Sequence, residues 1–301
     1  MNPVSQELYP FTGQYLEVNG LDNKPVRLHY LDEGEKTNDP IVMVHGNPTW
    51  SFYYRRLVTA LSPSYRTVVP DHVGCGLSDK PGDERYPYTL ERRIADLDTL
   101  INHLDLGDRI TLIVHDWGGM IGLGWAAQNV ERVARLVILN TGAFPLPPSK
   151  PFPWQLALTR TPFGALAVRG FNAFSGVASR VCVVQPMPAE IRRAYRAPYN
   201  SWKNRIATLR FVQDIPLRPA DPGYDIVTST ERELPRFDTI PVMLCWGEKD
   251  FVFDAPFRER FEELLPNATV HSFPDAGHYV LEDKADEIEA LVTRFLAEDT
   301  L

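Results

Sequence analysis

Short apolar runs alternate with helix-period segments along the first half of the chain. Val26 to Tyr30 alternates polar and apolar residues and predicts an early strand. Ile41-Val-Met-Val44 is continuously apolar, the pattern of a strand buried on both faces, and Thr67-Val-Val69, Ile110-Thr-Leu-Ile-Val114 and Leu136-Val-Ile-Leu139 resemble it. Between them Leu90, Ile94, Leu97, Ile101 and Leu104 recur at helical spacing and predict a core-facing helix. The pattern breaks at Phe144–Trp154, which holds five prolines in eleven residues and predicts a boundary. From Trp154 to about Phe237 only short helical pieces are expected. Strands then return at Ile240–Trp246 and Thr269–Phe273, with helices at Ala255–Leu265 and around Ile288, Leu291, Val292, Phe295 and Leu296. The expected architecture is α/β: a doubly wound, mostly parallel sheet with an inserted helical cap. Its core would comprise residues 1–145 and 238–301, and the cap residues 146–237.

Composition narrows the function. With 301 residues the chain can bury a sizeable core. It carries 31 Lys and Arg against 39 Asp and Glu, a net charge of −8, and has no basic run, so nucleic-acid binding is excluded as the main role. No stretch reaches the roughly 18–20 apolar residues of a membrane span. Met1-Asn-Pro-Val-Ser-Gln-Glu7 has neither a basic n-region nor an apolar h-region, and Cys75, Cys182 and Cys245 are an odd number without metal-like spacing. A cytoplasmic protein with reduced core thiols is expected. No metal cluster, phosphate loop or dinucleotide glycines are seen, so no cofactor is expected.

The chemistry concentrates at Ile113-Val-His-Asp-Trp-Gly-Gly-Met120. A buried strand, a sharp glycine turn and an immediate helix would lift Asp116 above the sheet edge over a helix N-terminus. This is the nucleophile-elbow pattern with Asp in place of Ser and Val114 at the first small position. A helix N-cap is the plainer alternative for such an Asp. Trp246-Gly-Glu-Lys-Asp250 places Asp250 after one strand, and Asp275-Ala-Gly-His278 places His278 after the next, giving the order nucleophile, acid, histidine. His45-Gly-Asn-Pro-Thr-Trp50 follows a strand where an oxyanion-hole loop belongs, with amides near Asn47 and Trp117 turned into the site.

With these pieces the sequence resembles the α/β-hydrolase superfamily, and within it the haloalkane-dehalogenase-like group, over about residues 7–145 and 236–300 and more loosely through the cap. Pro70-Asp-His-Val-Gly-Cys-Gly-Leu-Ser-Asp-Lys-Pro81 is similar to that group's next loop. A carboxylate is ionised at neutral pH and attacks without a base, which suits displacement at saturated carbon or opening of a strained ring rather than ester hydrolysis. His278, oriented by Asp250, would be free to activate water. In the dehalogenases the residues matching Trp117 and Asn47 hold the departing halide. One family of dehalogenases takes its triad acid from the strand before the cap; that strand ends here at Asn140, so Asp250 is expected to serve. The set Asp116, His278, Asp250, Asn47 and Trp117 is similar to the third dehalogenase subgroup, which includes the β-lactone decarboxylases of long-chain olefin biosynthesis. Val114–Met120, Asn140–Pro145 and Ala207–Pro216 resemble those decarboxylases in particular.

The resemblance implies conversion of a cis-3,4-dialkyl β-lactone to a cis-alkene and CO2, with a β-lactone synthetase and a reductase as partners in a large assembly. Haloalkane dehalogenase is the alternative, since the anion-holding pair is complete. Epoxide hydrolase would need cap tyrosines such as Tyr195, Tyr199 or Tyr224 to protonate the ring oxygen. A non-catalytic scaffold usually lacks part of the triad, and every part is present here. Phe163, Leu166, Phe171, Phe174 and Trp202 suit either a greasy substrate channel or the seal between cap and core, and Arg192, Arg193 and Arg196 are expected to be solvated.

Overall fold

The computed structural model describes residues 4–298. Part of the N-terminal stretch read above, residues 1–3, and the last three residues of the second core segment lie outside the described residues. In chain order the elements are β1 (Gln14–Asn19), β2 (Pro25–Glu33), β3 (Pro40–Val44), α1 (Arg55–Leu61), β4 (Arg66–Pro70), α2 (Leu90–His103), β5 (Ile110–Asp116), α3 (Trp117–Gln128) and β6 (Val133–Thr141). Six helices follow without an intervening strand: α4 (Trp154–Thr159), α5 (Pro162–Phe171), α6 (Ala173–Val181), α7 (Ala189–Arg196), α8 (Ile206–Gln213) and α9 (Tyr224–Glu233). The chain closes with β7 (Val242–Gly247), α10 (Ala255–Leu264), β8 (Thr269–Phe273), α11 (Val280–Asp283) and α12 (Ala285–Ala297).

The eight strands form one sheet in the order β1-β2-β4-β3-β5-β6-β7-β8. β1 and β2 join antiparallel, and β4 to β8 pair parallel. The central strands read as unbroken apolar runs because both their faces are covered. Val42, Val44, Leu112, Val114 and Ile138 face a cluster shared with Ile94 and Leu97 of α2, Ile121 of α3 and Phe261 of α10. Their neighbours Ile41, Met43, Ile113, Val137 and Leu139 face α1 and α12 through Leu57, Leu61 and Val292. Successive residues therefore enter opposite layers, as the pleat requires. α2 starts where Thr89 accepts a hydrogen bond from the Arg92 amide, an N-cap.

β1 has no counterpart in the sequence-based expectations. Only Val18 is buried along it, so the strand sits at the sheet edge with most of its side chains in water and lacks a strong apolar signal. β7 begins two residues later than expected, leaving Ile240 and Pro241 outside it. Cys75, Cys182 and Cys245 are buried and unpaired. No helix of the described residues is long and apolar enough to cross a membrane.

Candidate active site

Asp116 is the last residue of β5, and Trp117 is the first of α3. The reversal between them puts Asp116 at φ 53°, ψ −126°, a conformation few non-glycine residues adopt. The fold enforces it. The Thr141 hydroxyl donates to the Asp116 carbonyl, and α3 begins so close to β3 that a Cβ at Gly118 would lie 1.9 Å from the Val44 carbonyl oxygen. The opposite loop comes equally near: a Cβ at Gly46 would fall 2.1 Å from Asp116 Oδ1. That approach lets the Asn47 amide donate to Asp116 Oδ1 at 2.6 Å. Trp117 opens its helix, so its own N–H has no intrahelical acceptor.

The three residues expected to work together do converge. His278 Nε2 lies 3.4 Å from Asp116 Oδ2, and its Nδ1 is 2.7 Å from Asp250 Oδ2. All three are buried. Burial disfavours charge on His278, but the Asp250 carboxylate, helped by the hydrogen bond that His278 donates to Asp116, outweighs it and raises the imidazole pKa to about 10. Burial likewise pushes Asp250 upward, and the charge and hydrogen bond of His278 overcome it, leaving the carboxyl below its ordinary range. At neutral pH the resting site thus holds His278 as an imidazolium against the Asp250 carboxylate. A folded pKa above the unfolded value near 6.5 means the associated stability is fully present below pH 6.5 and is lost as pH rises through about 10. Nitrogen-15 NMR of the histidines is expected to show His278 still protonated at neutral pH, and Asp116→Asn is expected to move its titration down.

Residues the sequence reading did not assign to the site hold this set in place. Asn140, set aside above as unable to be the acid, donates Nδ2 to both Asp250 Oδ2 and the Gly247 carbonyl, each at 3.0 Å. Its Oδ1 accepts the Gly247 amide at 2.8 Å, and the Val252 amide donates to Asp250 Oδ1 at 2.7 Å. Asn140→Ala removes all three Asn140 bonds from a fully buried position, so a stability loss of about 1–3 kcal/mol is expected in thermal melts. His115, whose pKa burial lowers to about 3, is neutral and donates Nε2–H to the His278 carbonyl at 2.8 Å. Beneath the Asn47 loop, Asp71 accepts from the Ser51 amide, His29 and the Leu77 amide, while the His72 amide donates to His45 Nε2 at 3.1 Å. These partners are far apart in sequence, and only Pro70–Pro81, similar to a family loop, hinted at them.

Asn47 and Trp117 line the same cavity as Asp116. Asn47 gives one Nδ2 hydrogen to the Thr208 carbonyl of α8 at 3.1 Å, which fixes the carboxamide and leaves its other hydrogen unassigned. Trp117 Nε1 meets no acceptor among the described residues, and the indole packs edge-on against Phe211, 5.0 Å away. The cavity has a volume of about 630 Å³; Asn47, Asp116, Trp117 and His278 form its polar end, and its walls are largely apolar, with Phe144, Phe174, Val177, Val212 and Ile215 among them. A carboxylate and two N–H donors at the end of such a chamber can displace a leaving group from a greasy substrate and hold it as an anion.

Some expectations for the cap need correction. Phe174 lines the cavity, but Phe163, Leu166, Phe171 and Trp202 do not; they are exposed on the outer surface. α5 buries Gly164 and Val168 and turns its large apolar residues outward. Of the three arginines, Arg193 is exposed, whereas Arg192 and Arg196 are partly buried and Arg192 donates to the Met187 carbonyl. The tyrosines considered as ring-oxygen donors are absent from the cavity wall. Tyr195 donates to Glu282, and Tyr199 donates to the Thr49 carbonyl at 3.1 Å.

Comparison with known proteins agrees with this geometry. Residues 39–285 match the family model described as alpha/beta hydrolase fold. The chain is 55% identical to a cis-3-alkyl-4-alkyloxetan-2-one decarboxylase of Shewanella oneidensis, over 97% of this chain and 90% of that protein. It is 49% identical to a protein of the same name from Xanthomonas campestris pv. campestris, over 97% and 98%. Among solved structures, haloalkane dehalogenase DbeA from Bradyrhizobium elkani superposes with a TM-score of 0.84 at 24% identity, over 95% of this chain and 98% of that one, a likeness of fold.

Proposed function

Since the chain belongs to the alpha/beta hydrolase fold family, with decarboxylases of cis-3-alkyl-4-alkyloxetan-2-ones as near-full-length relatives, we propose that it converts cis-3,4-dialkyl β-lactones to cis-alkenes and CO2. An oxetan-2-one is a β-lactone, and the 55% identity carries the reading; a large apolar cavity ending at Asp116, Trp117 and Asn47 supports it.

In this reading Asp116 attacks the ring carbon that bears oxygen. The Asp–carbon bond forms as the ring C–O bond breaks, the carbon inverts, and its electron pair leaves on a carboxylate held by Trp117 and Asn47. The C–CO2 bond then supplies the electrons of the alkene while the Asp116 ester departs from the opposite face. Inversion followed by anti elimination turns a cis-lactone into a cis-alkene. Neither water nor a cofactor is consumed, and Asp116 is regenerated as a carboxylate. His278, positively charged at rest, pairs with Asp116 before attack and after departure. Asp250 and Asn140 position it. In this reading the reaction belongs to a cytoplasmic olefin biosynthesis, beside a β-lactone synthetase and a reductase.

The second reading, hydrolytic haloalkane dehalogenase, is favoured by one observation: both anion donors stand at the cavity end. Its chemistry asks more of His278. Once Asp116 is an ester, it no longer holds the imidazolium, the pKa falls, and His278 can take a proton from water. The test is gas chromatography of alkene from a synthetic cis-3,4-dialkyl β-lactone, with halide release from a bromoalkane as the counterpart. Cis-alkene from the native protein is expected; halide without alkene overturns the reading. His278→Gln is expected to slow alkene formation by about 10–100-fold, the range of a positioning charge, and a fall as large as loss of the nucleophile would favour attack at the carbonyl instead.

A further inference from the structure

We propose that the outer face of α4–α7 is a docking surface for an anionic phospholipid bilayer, and that the substrate cavity opens through it. The proposal rests on charge and exposure and is independent of the chemistry assigned to Asp116.

Charge is segregated along the chain. Residues 146–213 contain ten Lys and Arg against one acidic residue, Glu190, leaving 21 against 38 in the rest of the sequence. An acidic protein therefore carries a cationic cap. Few of these cations are neutralised: Lys150 pairs with Asp254 and Arg210 with Asp83, while Arg169, Arg180, Arg193, Lys203 and Arg205 form no ion pair among the described residues. Arg193, Arg196 and Arg205 line one groove of about 420 Å³ with Phe171 and no acidic side chain. Arg196 Nε is buried there without a hydrogen-bond partner.

The same helices, and the segment that follows α7, expose large apolar side chains. Phe163 is 84% and Phe171 81% exposed, and Leu166 and Trp202 are about half exposed. A cationic surface with protruding aromatic residues is the composition of a helix pair that lies in a lipid headgroup layer. Trp154 and Leu158 of α4 and Val177 and Val181 of α6 both line the cavity and stand half or more exposed, so the cavity mouth lies within this face. A ligand partitioned into the bilayer would reach the site without crossing water.

The test is co-sedimentation of the full chain with phosphatidylcholine vesicles, with and without phosphatidylglycerol. Binding to the anionic vesicles is expected, weakening as salt is raised. Phe163→Ser with Phe171→Ser, and separately Arg193→Glu with Lys203→Glu, are each expected to weaken it by at least about 10-fold with thermal melting unchanged. None of these four side chains lines the cavity. Equal binding to both vesicle types, no binding, or no effect of the apolar pair overturns the proposal. So does binding to polyglutamate but not to vesicles, which assigns the face to an acidic protein. An oligomer seen by light scattering that the Phe pair dissociates assigns it to a second copy of the chain.

Discussion

Replacing Asp116 by Ala is expected to lower kcat for alkene formation by at least about 10⁴-fold while the protein stays folded. The side chain has one place to act: it stands at the polar end of an apolar cavity, and its two oxygens are held by the Asn47 amide and by His278. Among the described residues no other carboxylate lines that cavity, so no neighbour there can substitute. Structurally, Ala loses the Asn47 hydrogen bond but keeps the Thr141 contact to the backbone carbonyl, and it relieves the close approach to Gly46. Circular dichroism should therefore report native secondary structure. The variant also separates two roles. Without the Asp116 carboxylate the imidazolium keeps only Asp250, so His278 should titrate lower than about 10. A variant that retains alkene formation within tenfold of native would mean that the Asp116 carboxylate only holds the Asn47 loop and His278 in place.

Much of this site was legible in the sequence, and the reasons differ from residue to residue. β3 and β5 announce themselves because a strand covered on both faces tolerates only apolar side chains, and Asp116 stands out as a charge at the end of such a run. Asp250 and His278 are readable from order and from their positions just past β7 and β8. Asn140 is not, because its value lies in three hydrogen bonds to residues more than a hundred positions away. β1 was missed because an edge strand with one buried residue has almost no period-two signal. The aromatic residues of α5 suited either a channel wall or the seal between cap and core, because composition alone does not say which side of a helix faces inward; glycine and valine took that side, leaving Phe163 and Phe171 in solvent.

Trp117→Phe should cost about 10²–10³-fold in kcat with little change in KM, the loss that follows removal of one donor to a developing oxyanion. The substitution keeps most of what the indole does by packing. A phenyl ring retains the edge contact with Phe211 and an apolar surface beneath Arg93, whose guanidinium lies 5.5 Å from the indole and 3.8 Å from the Phe211 ring. What disappears is Nε1–H, which meets no acceptor among the described residues. A lactone in the ground state is neutral at its ring oxygen, so the bond it would receive from Trp117 is weak until the C–O bond breaks. The donor therefore matters most in the transition state, and its loss appears in kcat. Asn47→Ala would be a less clean test, since the same carboxamide ties the loop to the Thr208 carbonyl and its removal loosens the roof of the cavity. A packing residue would give the reverse result for Trp117→Phe, with the melting temperature falling and kcat unchanged.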